Sequence, residues 1–167
     1  MVGAWLLWTR QVDAVWLVPV YRHAFEGRQD KTLAPYGRRL QWCRQLAADT
    51  GVPIEVSDVE SRLPVPSFTI DTLRHLAAAH PEHRFRLVIG ADVLPQLPDW
   101  HDWDSIAADF SPIVVGRVGY DGPDQAVSFP GVSSTEIRRR ITDGLPHQHL
   151  VTGRVAADIA EHGWPGS

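Results

Sequence analysis

Cysteine is almost absent from this sequence of 167 residues, because Cys43 is the only one. A single cysteine excludes an internal disulfide and any zinc site that is built from several thiolates. An excess of positive charge is also missing, since the formal net charge is −4. A protein that binds duplex nucleic acid usually carries a basic surface, so we expect no nucleic acid polymer as a partner. A reducing, cytoplasmic setting is the simplest inference from the cysteine content.

Long apolar runs are missing too. The most apolar segments, residues 14–20 and 87–91, have the length of strands. A helix that crosses a bilayer needs about 20 apolar residues. The chain starts directly on apolar residues with no basic residue before them, which argues against a signal peptide. We therefore expect no membrane as a partner.

Several catalytic motifs are absent from the sequence. It contains no Gly-x-Ser-x-Gly elbow, no Gly-x-Gly-x-x-Gly turn and no Walker-type loop. This argues against a serine hydrolase, a dinucleotide-dependent dehydrogenase and a P-loop enzyme. The eight histidines show no metal-ligand spacing on a helix. We therefore predict no metal site, with His75, His80 and His83 on the surface.

Short apolar strands do alternate with amphipathic helices along the chain. Strands are predicted at 13–19, 54–56, 85–90, 112–117 and 126–129, and helices at 2–12, 35–50, 69–80, 103–109, 134–143 and 150–162. This order predicts an α/β fold with a Rossmann-like, doubly wound parallel sheet. The continuous apolar runs at 13–19 and 85–90 predict strands that are buried on both faces. The length suits one domain, which we assign to residues 1–167.

Val132–Arg138 is predicted to lead into a helix with hydroxyl groups at its start. Ser133, Ser134 or Thr135 can cap the exposed backbone N–H groups, and a Ser-x-x-Glu or Ser-x-x-Ile spacing begins the helix. A helix start also offers N–H donors and a positive dipole end to a phosphate, and Arg138 would lie close enough to add a charged contact. A plain capped helix with an exposed arginine is the alternative.

Two more segments follow predicted strands, where ligands bind in such sheets. Gly90 and Asp92 come directly after the strand at 85–90; they either line a ligand crevice or form an ordinary strand exit with a capping carboxylate. Trp100, His101 and Trp103 lie just beyond. Their rings either stack on a planar ligand or belong to the core, and we expect one of the two tryptophans to face ligand.

The polar segment after the first strand is a third candidate. Arg22, His23 and Lys31 make it basic. A phosphate contact and a solvated loop are both open interpretations.

Five segments, taken together and in this order, resemble bacterial nicotinate-nucleotide adenylyltransferases: Val15–Pro19, Ser67–Leu73, Leu87–Asp92, Leu97–Trp103 and Val132–Arg138. The Ser-Ser-Thr-x-x-Arg segment is shared with the wider nucleotidyltransferase superfamily. The combination of Ser-x-Thr-x-Asp-Thr-Leu with Gly-Ala-Asp and Leu-Pro-x-Trp is more specific to the nicotinate-nucleotide branch. The resemblance runs from about residue 12 to the carboxyl end.

The resemblance implies an enzyme of NAD biosynthesis that moves AMP from ATP onto nicotinate mononucleotide with Mg²⁺ and releases pyrophosphate. Its partners would be small-molecule nucleotide substrates. By motif match, four residues would hold the ATP phosphates: Ser133, Ser134, Thr135 and Arg138. Gly90 and Asp92 would line the nucleotide crevice. Three residues would surround the pyridine ring of the acceptor: Thr69, Trp100 and His101.

The sequence departs from the family pattern in two places. The family begins with a strand and a Gly-x-Phe-x-Pro-x-His-x-Gly-His loop whose histidines contact phosphates, and no segment of this chain matches it. The resemblance therefore assigns no catalytic residue, and the sheet is expected to lack its usual first strand. After Pro19 the family usually has Pro-Pro-His-Lys for the acceptor phosphate. Here Arg22 and His23 are the candidates, so the acceptor stays open.

Three explanations fit the first departure: Met1 is an internal methionine of a longer reading frame, the gene is a degraded copy, or the chain binds nucleotide without catalysis. We expect the first, because a doubly wound sheet without its central strand exposes apolar edges. If the 167 residues fold by themselves, we expect strand exchange, a homo-oligomer or marginal stability. The functional alternatives are an impaired adenylyltransferase, a non-catalytic nucleotide-binding module, and an adenylyltransferase for another acceptor such as phosphopantetheine.

Overall fold

The computed structural model describes residues 1–22, 33–120, 122–123 and 127–164. These residues form two compact units. Within the described ranges, the first unit contains residues 1–21, 33–61 and 132–164, and the second contains Arg22 and residues 62–131. Both units combine helices with parallel strands, so the predicted α/β class is confirmed. The assignment of residues 1–167 to one domain stays a prediction.

The first unit contains a two-stranded parallel sheet and four α-helices. In chain order its elements are α1 (Val2–Trp8), β1 (Val15–Leu17), α2 (Tyr36–Thr50), β2 (Ile54–Val56), α5 (Ser134–Thr142) and α6 (Gly153–His162). A 3-10 helix, Val59–Arg62, follows β2, and another, Gln148–Leu150, precedes α6. β1 pairs with β2 in a register that sets Val15 opposite Ile54. Gly51 ends α2 in the left-handed conformation, with φ of 65°, which glycine adopts without steric cost.

The second unit contains a three-stranded parallel sheet in the order β3-β4-β5. Its elements are α3 (Thr69–Ala79), β3 (Val88–Gly90), a 3-10 helix (Ala91–Asp99), α4 (Trp103–Phe110), β4 (Ile113–Arg117) and β5 (Ser128–Phe129). Four buried side chains form the core of this unit: Ile70, Leu73, Ile106 and Phe110. They come from α3 and α4, whose apolar faces pack against each other because both helices carry apolar residues at helical spacing.

The prediction that two strands are buried on both faces was wrong. All three residues of β1 are only half-buried, and Val88 in β3 is 37% exposed. In the described part of the chain, β1 belongs to a two-stranded sheet and β3 lies at the edge of its sheet, whereas β4 has a partner on each side. β4 is accordingly the most buried strand. The predicted strand at 126–129 is present at Ser128–Phe129, and residue 126 lies outside the described residues.

Two ion pairs join α2 to α6 in the first unit. Asp158 is 8% exposed and accepts hydrogen bonds from Arg38 Nη2 at 3.0 Å and from Trp42 Nε1 at 2.6 Å. Burial by itself raises the pKa of Asp158, but these hydrogen bonds outweigh that effect and hold its pKa below the ordinary value. The second pair, Arg154 Nε to Asp49 Oδ1 at 3.0 Å, lies at the surface, with the Arg154 side chain 61% exposed.

None of the helices in the described ranges has the length and the apolar character that a bilayer crossing requires.

Candidate functional site

The start of α5 is the part of the candidate site that the sequence predicts best. Ser133 is the N-cap residue, in an extended conformation, and its Oγ accepts the backbone N–H of Glu136 at 3.2 Å. The helix ladder begins at the same residue, because the N–H of Ile137 donates to the Ser133 carbonyl at 3.1 Å. The Ile137 side chain is buried and anchors this turn. The predicted cap is therefore confirmed.

Arg138 lies beside the same turn. Its Nη2 donates to Thr135 Oγ1 at 3.4 Å, and Ser134 and Thr135 are exposed. The first N–H groups of a helix have no partner within the helix, and the helix dipole makes this end positive. Amides, hydroxyls and a guanidinium thus occur within one turn of α5, which is the arrangement that suits an anionic phosphate. The four predicted phosphate contacts, Ser133, Ser134, Thr135 and Arg138, are brought together here.

Glu136 lies in this same first turn of α5 but does not present a free negative charge. Its carboxylate accepts hydrogen bonds from Arg139 Nη2 at 2.9 Å and Arg140 Nε at 2.7 Å. These two hydrogen bonds, that from Arg139 being the stronger cause, lower the pKa of Glu136 to about 2. Arg139 also pairs with Asp143 at 3.1 Å. Arg139 and Arg140 thus offset the charge of the two carboxylates, Glu136 in α5 and Asp143 at its C-cap.

In the second unit, Gly90 and Asp92 follow β3 as predicted. The Asp92 carboxylate is half-buried and forms an ion pair with the Arg117 guanidinium at the end of β4. A Cβ atom on residue 90 would overlap Asp92 Oδ1. Glycine at position 90 is therefore what lets the carboxylate fold back against the end of the strand. Sequence analysis missed Arg117, although its place at the carboxyl end of a strand was a usable signal.

The three residues predicted for the acceptor ring lie near the start of α3 and the end of the 3-10 helix Ala91–Asp99. The exposed ring of His101 stacks on Phe68, with centroids 4.3 Å apart. Phe68 is the N-cap of α3 and Thr69 its first residue. His101 and Thr69 are thus brought close through Phe68, which sequence analysis did not single out.

Trp100 and Trp103 contact each other edge to face, with ring centroids 6.1 Å apart. Both are half-buried and pack against the core of the second unit. This favours the core interpretation for both rings, and the expectation that one tryptophan faces ligand stays a prediction. Arg22 is exposed, and His23 lies outside the described residues, as does Lys31.

Comparison with known proteins shows which family the chain belongs to. The profile of the Cytidylyltransferase-like family matches residues 8–140. A protein of Anaeromyxobacter sp. (strain K) named "probable nicotinate-nucleotide adenylyltransferase" is 42% identical over 166 residues, which are 98% of this chain and 86% of that protein. The chain belongs to the nicotinate-nucleotide adenylyltransferase family. A second member, from Myxococcus xanthus, is 34% identical over 99% of this chain and 86% of its own length.

Solved structures of the family share the fold. The nicotinic acid mononucleotide adenylyltransferase of Plasmodium falciparum in complex with NaAD has a TM-score of 0.75 at 16% identity, over 97% of this chain and 87% of that one. The same Plasmodium falciparum enzyme in complex with APC has a TM-score of 0.67 at 14% identity, over 90% and 81% of the two chains. These matches confirm the Rossmann-like α/β fold that the sequence predicts.

Proposed function

We propose that this chain binds ATP and nicotinate mononucleotide and belongs to the adenylyl-transfer step that joins them. The observation that carries the proposal is the Ser133-capped turn of α5, where Thr135 and Arg138 lie 3.4 Å apart beside the positive helix end. The names of relatives that match nearly the whole chain support the same chemistry. An anionic triphosphate is the ligand that such a turn suits.

The protein has little covalent chemistry to perform in this reaction. A phosphate oxygen of the mononucleotide attacks the α-phosphorus of ATP in line, the bond from that phosphorus to the oxygen bridging the β-phosphorus breaks, and pyrophosphate leaves. Positioning and charge stabilisation therefore dominate catalysis. We assign Ser133, Ser134, Thr135 and Arg138 to the ATP phosphates, and Gly90 and Asp92 to the nucleotide crevice.

For the acceptor, we assign Thr69, Trp100 and His101 to the pyridine ring, with Arg22 and His23 as candidates for its phosphate. The exposed His101 ring stacked on Phe68 supports this assignment, because a second planar ring can continue such a stack. The half-buried indole of Trp100 would line the base of the ring site rather than stack on the pyridine ring.

Mg²⁺ would enter with ATP and neutralise charge on its phosphates. The residues of the α5 turn fit this role in a limited way: Glu136, the carboxylate nearest the turn, is held by Arg139 and Arg140. The turn thus offers donors to phosphate oxygens rather than ligands to the ion. Phosphate oxygens and water would then supply most of its coordination.

Turnover by residues 1–167 alone is expected to be weak. These residues contain no His-x-Gly-His segment, so the positive groups that the family places on the phosphates are missing from this sequence. Losing one such positioned donor costs about 10²–10³ in rate. A module that binds nucleotide without catalysis is the second candidate, and the same sequence observation favours it.

The test measures binding and turnover separately on the 167-residue chain. We expect ATP to bind in isothermal titration calorimetry, Arg138→Ala to weaken that binding by about tenfold, and Arg44→Ala, an exposed arginine on α2, to leave it unchanged. Pyrophosphate release with ATP, Mg²⁺ and nicotinate mononucleotide should be slow but above the rate without acceptor. Release at the background rate, with ATP still bound, would favour the non-catalytic module.

Two results would reject the proposal. If ATP does not bind to the folded chain, the α5 turn is not a phosphate site. If phosphopantetheine stimulates pyrophosphate release and nicotinate mononucleotide does not, the acceptor assignment is wrong.

A further inference from the structure

The turn between α3 and β3 brings together three side chains that can ligate a metal ion: His80, Glu82 and His83. His80 Nδ1 lies 3.4 Å from Glu82 Oε1, and His83 Nε2 lies 3.6 Å from the same oxygen. The three ligand atoms all lie within 4.8 Å of one another. The sequence predicts no metal site here, because its histidines lack the spacing of ligands on one helix. His80 and His83 are instead separated by a turn.

Two of the three separations match those around a small ion. Zn²⁺ binds imidazole nitrogen and carboxylate oxygen at about 2.0–2.2 Å, so neighbouring ligand atoms of a tetrahedral site are about 3.3–3.6 Å apart. Both distances to Glu82 Oε1 agree with that value, and no two of the three ligand atoms are more than 4.8 Å apart. Three protein ligands leave a fourth position for water.

The cluster is braced by rigid parts of the second unit. His80 ends α3, and its N–H donates to the Leu76 carbonyl at 2.9 Å. The N–H of His83 donates back to the His80 carbonyl at 3.0 Å, which closes the turn. Both imidazole rings contact Phe85 edge to face, at centroid distances of 6.4 and 6.0 Å. Phe85 itself packs against the core, so the two rings are held partly in place before any ion binds.

The charge of the cluster also suits a cation. The Glu82 carboxylate oxygen faces a ring nitrogen of both histidines, so one negatively charged ligand lies between two imidazole ligands. Two imidazoles with one carboxylate favour Zn²⁺, Cu²⁺ or Ni²⁺, whereas Mg²⁺ prefers an all-oxygen shell.

We propose that His80, Glu82 and His83 form a surface site for a divalent transition-metal ion of the zinc type, with His80 Nδ1, a Glu82 carboxylate oxygen and His83 Nε2 as ligands. The ion fixes the turn that connects α3 to β3. Because β3 leads directly into Gly90 and Asp92, the bound ion stabilises the unit that carries this part of the candidate nucleotide site. The site is separate from Mg²⁺ that accompanies ATP.

The test titrates the untagged 167-residue chain with Zn²⁺ in isothermal titration calorimetry. We expect one ion per chain, and a thermal unfolding midpoint that rises with Zn²⁺ concentration, because a ligand of the folded state stabilises it. His83→Ala and Glu82→Gln should each weaken Zn²⁺ binding by at least about tenfold, since even outer-shell partners of metal ligands cost 10–100-fold. Mg²⁺ at the same concentration should give no binding.

Matched controls separate this site from other zinc ligands on the chain. His75→Ala removes an exposed histidine of α3 outside the cluster, and His147→Ala together with His149→Ala removes a His-x-His pair elsewhere in the chain. All should retain full binding, as should Cys43→Ala. Unchanged binding in Glu82→Gln and His83→Ala, or loss of binding in any control, would overturn the proposal. Circular dichroism identifies variants that fail to fold, and Glu82→Gln, which changes no side-chain volume at an exposed position, then decides the outcome.

Discussion

The Arg117 guanidinium donates a hydrogen bond to the Asp92 carboxylate and so ties the end of β4 to the turn that follows β3. β3 and β4 are parallel neighbours, and the carboxyl ends of parallel strands meet at the edge of the sheet where ligands bind. A bare carboxylate at that edge would repel a phosphate. Arg117 therefore makes the position of Asp92 compatible with its assignment to the nucleotide crevice.

Arg117→Ala is expected to weaken ATP binding by about tenfold, the equivalent of one charge-assisted hydrogen bond. Arg117→Lys keeps the positive charge but replaces the planar guanidinium, with its several N–H donors, by a single ammonium group. We therefore expect a smaller loss of ATP affinity. Calorimetric titration with ATP measures both. Arg86→Ala is the control, because Arg86 is an exposed arginine of the same unit that donates to the Ser111 carbonyl at 2.8 Å. An equal loss in Arg86→Ala would show that the effect comes from net charge alone.

Ser133→Ala tests the cap of α5. The hydroxyl satisfies the Glu136 N–H, and loss of such a cap costs about 1 kcal/mol of unfolding free energy, whereas replacement by glycine costs only a few tenths. Urea denaturation should therefore order the variants as wild type, Ser133→Gly and Ser133→Ala. Ser134→Ala, one residue into the helix and exposed, should be nearly neutral. If Ser134→Ala costs as much as Ser133→Ala, the cap is assigned to the wrong residue.

The elements that sequence analysis predicted well are those that depend on near neighbours. The hydroxyl residues at 133–135 predicted a capped start of α5, because a cap depends on a few consecutive residues. Which of the three is the cap was left open, and the structure shows that it is Ser133. Strand positions were also predicted, since an apolar run indicates a strand directly. How deeply β1 and β3 are buried was not, because that depends on which strands flank them in the sheet.

The partners of charged and aromatic side chains were the least predictable part of the site. Asp92 and Arg117 are 25 residues apart in sequence, and only the register of β3 with β4 brings them together. The stack of His101 on Phe68 likewise joins a segment that precedes β3 in the sequence to one that follows it. Glu136 was expected to support the cap, and its carboxylate instead pairs with Arg139 and Arg140, which lie within reach on the same helix.

The titration of Glu136 provides a direct test of that pairing. Its pKa is lowered from 4.5 to about 2 by hydrogen bonds from Arg139 first and Arg140 second. A carboxylate whose pKa is depressed in the folded state contributes stability above its unfolded pKa, and this contribution is lost as pH falls. The loss should therefore occur between pH 4.5 and about 2. Carbon-detected NMR of the Glu136 carboxyl measures the midpoint.

Removal of either arginine should shift that midpoint upwards. We expect Arg139→Ala to give the larger rise towards 4.5, because its hydrogen bond is the larger cause. Arg154→Ala, which removes an exposed arginine of α6 paired with Asp49, should leave the midpoint in place. A Glu136 midpoint near 4.5 in the unmutated chain would contradict the pairing.

The two ion pairs between α2 and α6 allow the effect of burial on stability to be tested, because both are arginine–aspartate pairs that join the same two helices. Asp158 is 8% exposed and Arg38 19%. Asp158→Ala removes the carboxylate that accepts from Arg38 and from the Trp42 N–H, and leaves the largely buried guanidinium with backbone carbonyls only, Gly163 at 2.9 Å among them. Breaking such a pair costs about 3 kcal/mol of unfolding free energy. Asp49→Ala breaks the pair with Arg154, whose side chain is 61% exposed, and also removes the acceptor of the Arg154 backbone N–H at the start of α6. It should cost about 1 kcal/mol. Urea denaturation at neutral pH measures both.

The stability that the buried Asp158 pair contributes should depend on pH. The pKa of Asp158 lies below its ordinary value of 3.8 in the folded state, so the contribution of the buried pair is complete above pH 3.8 and is lost as pH falls through the lower, folded value. The difference in unfolding free energy between wild type and Asp158→Ala should therefore narrow below pH 3.8. Equal costs for the two substitutions at neutral pH would mean that the buried pair contributes no more than the surface pair, and that apolar contacts rather than Asp158 hold α6 against α2.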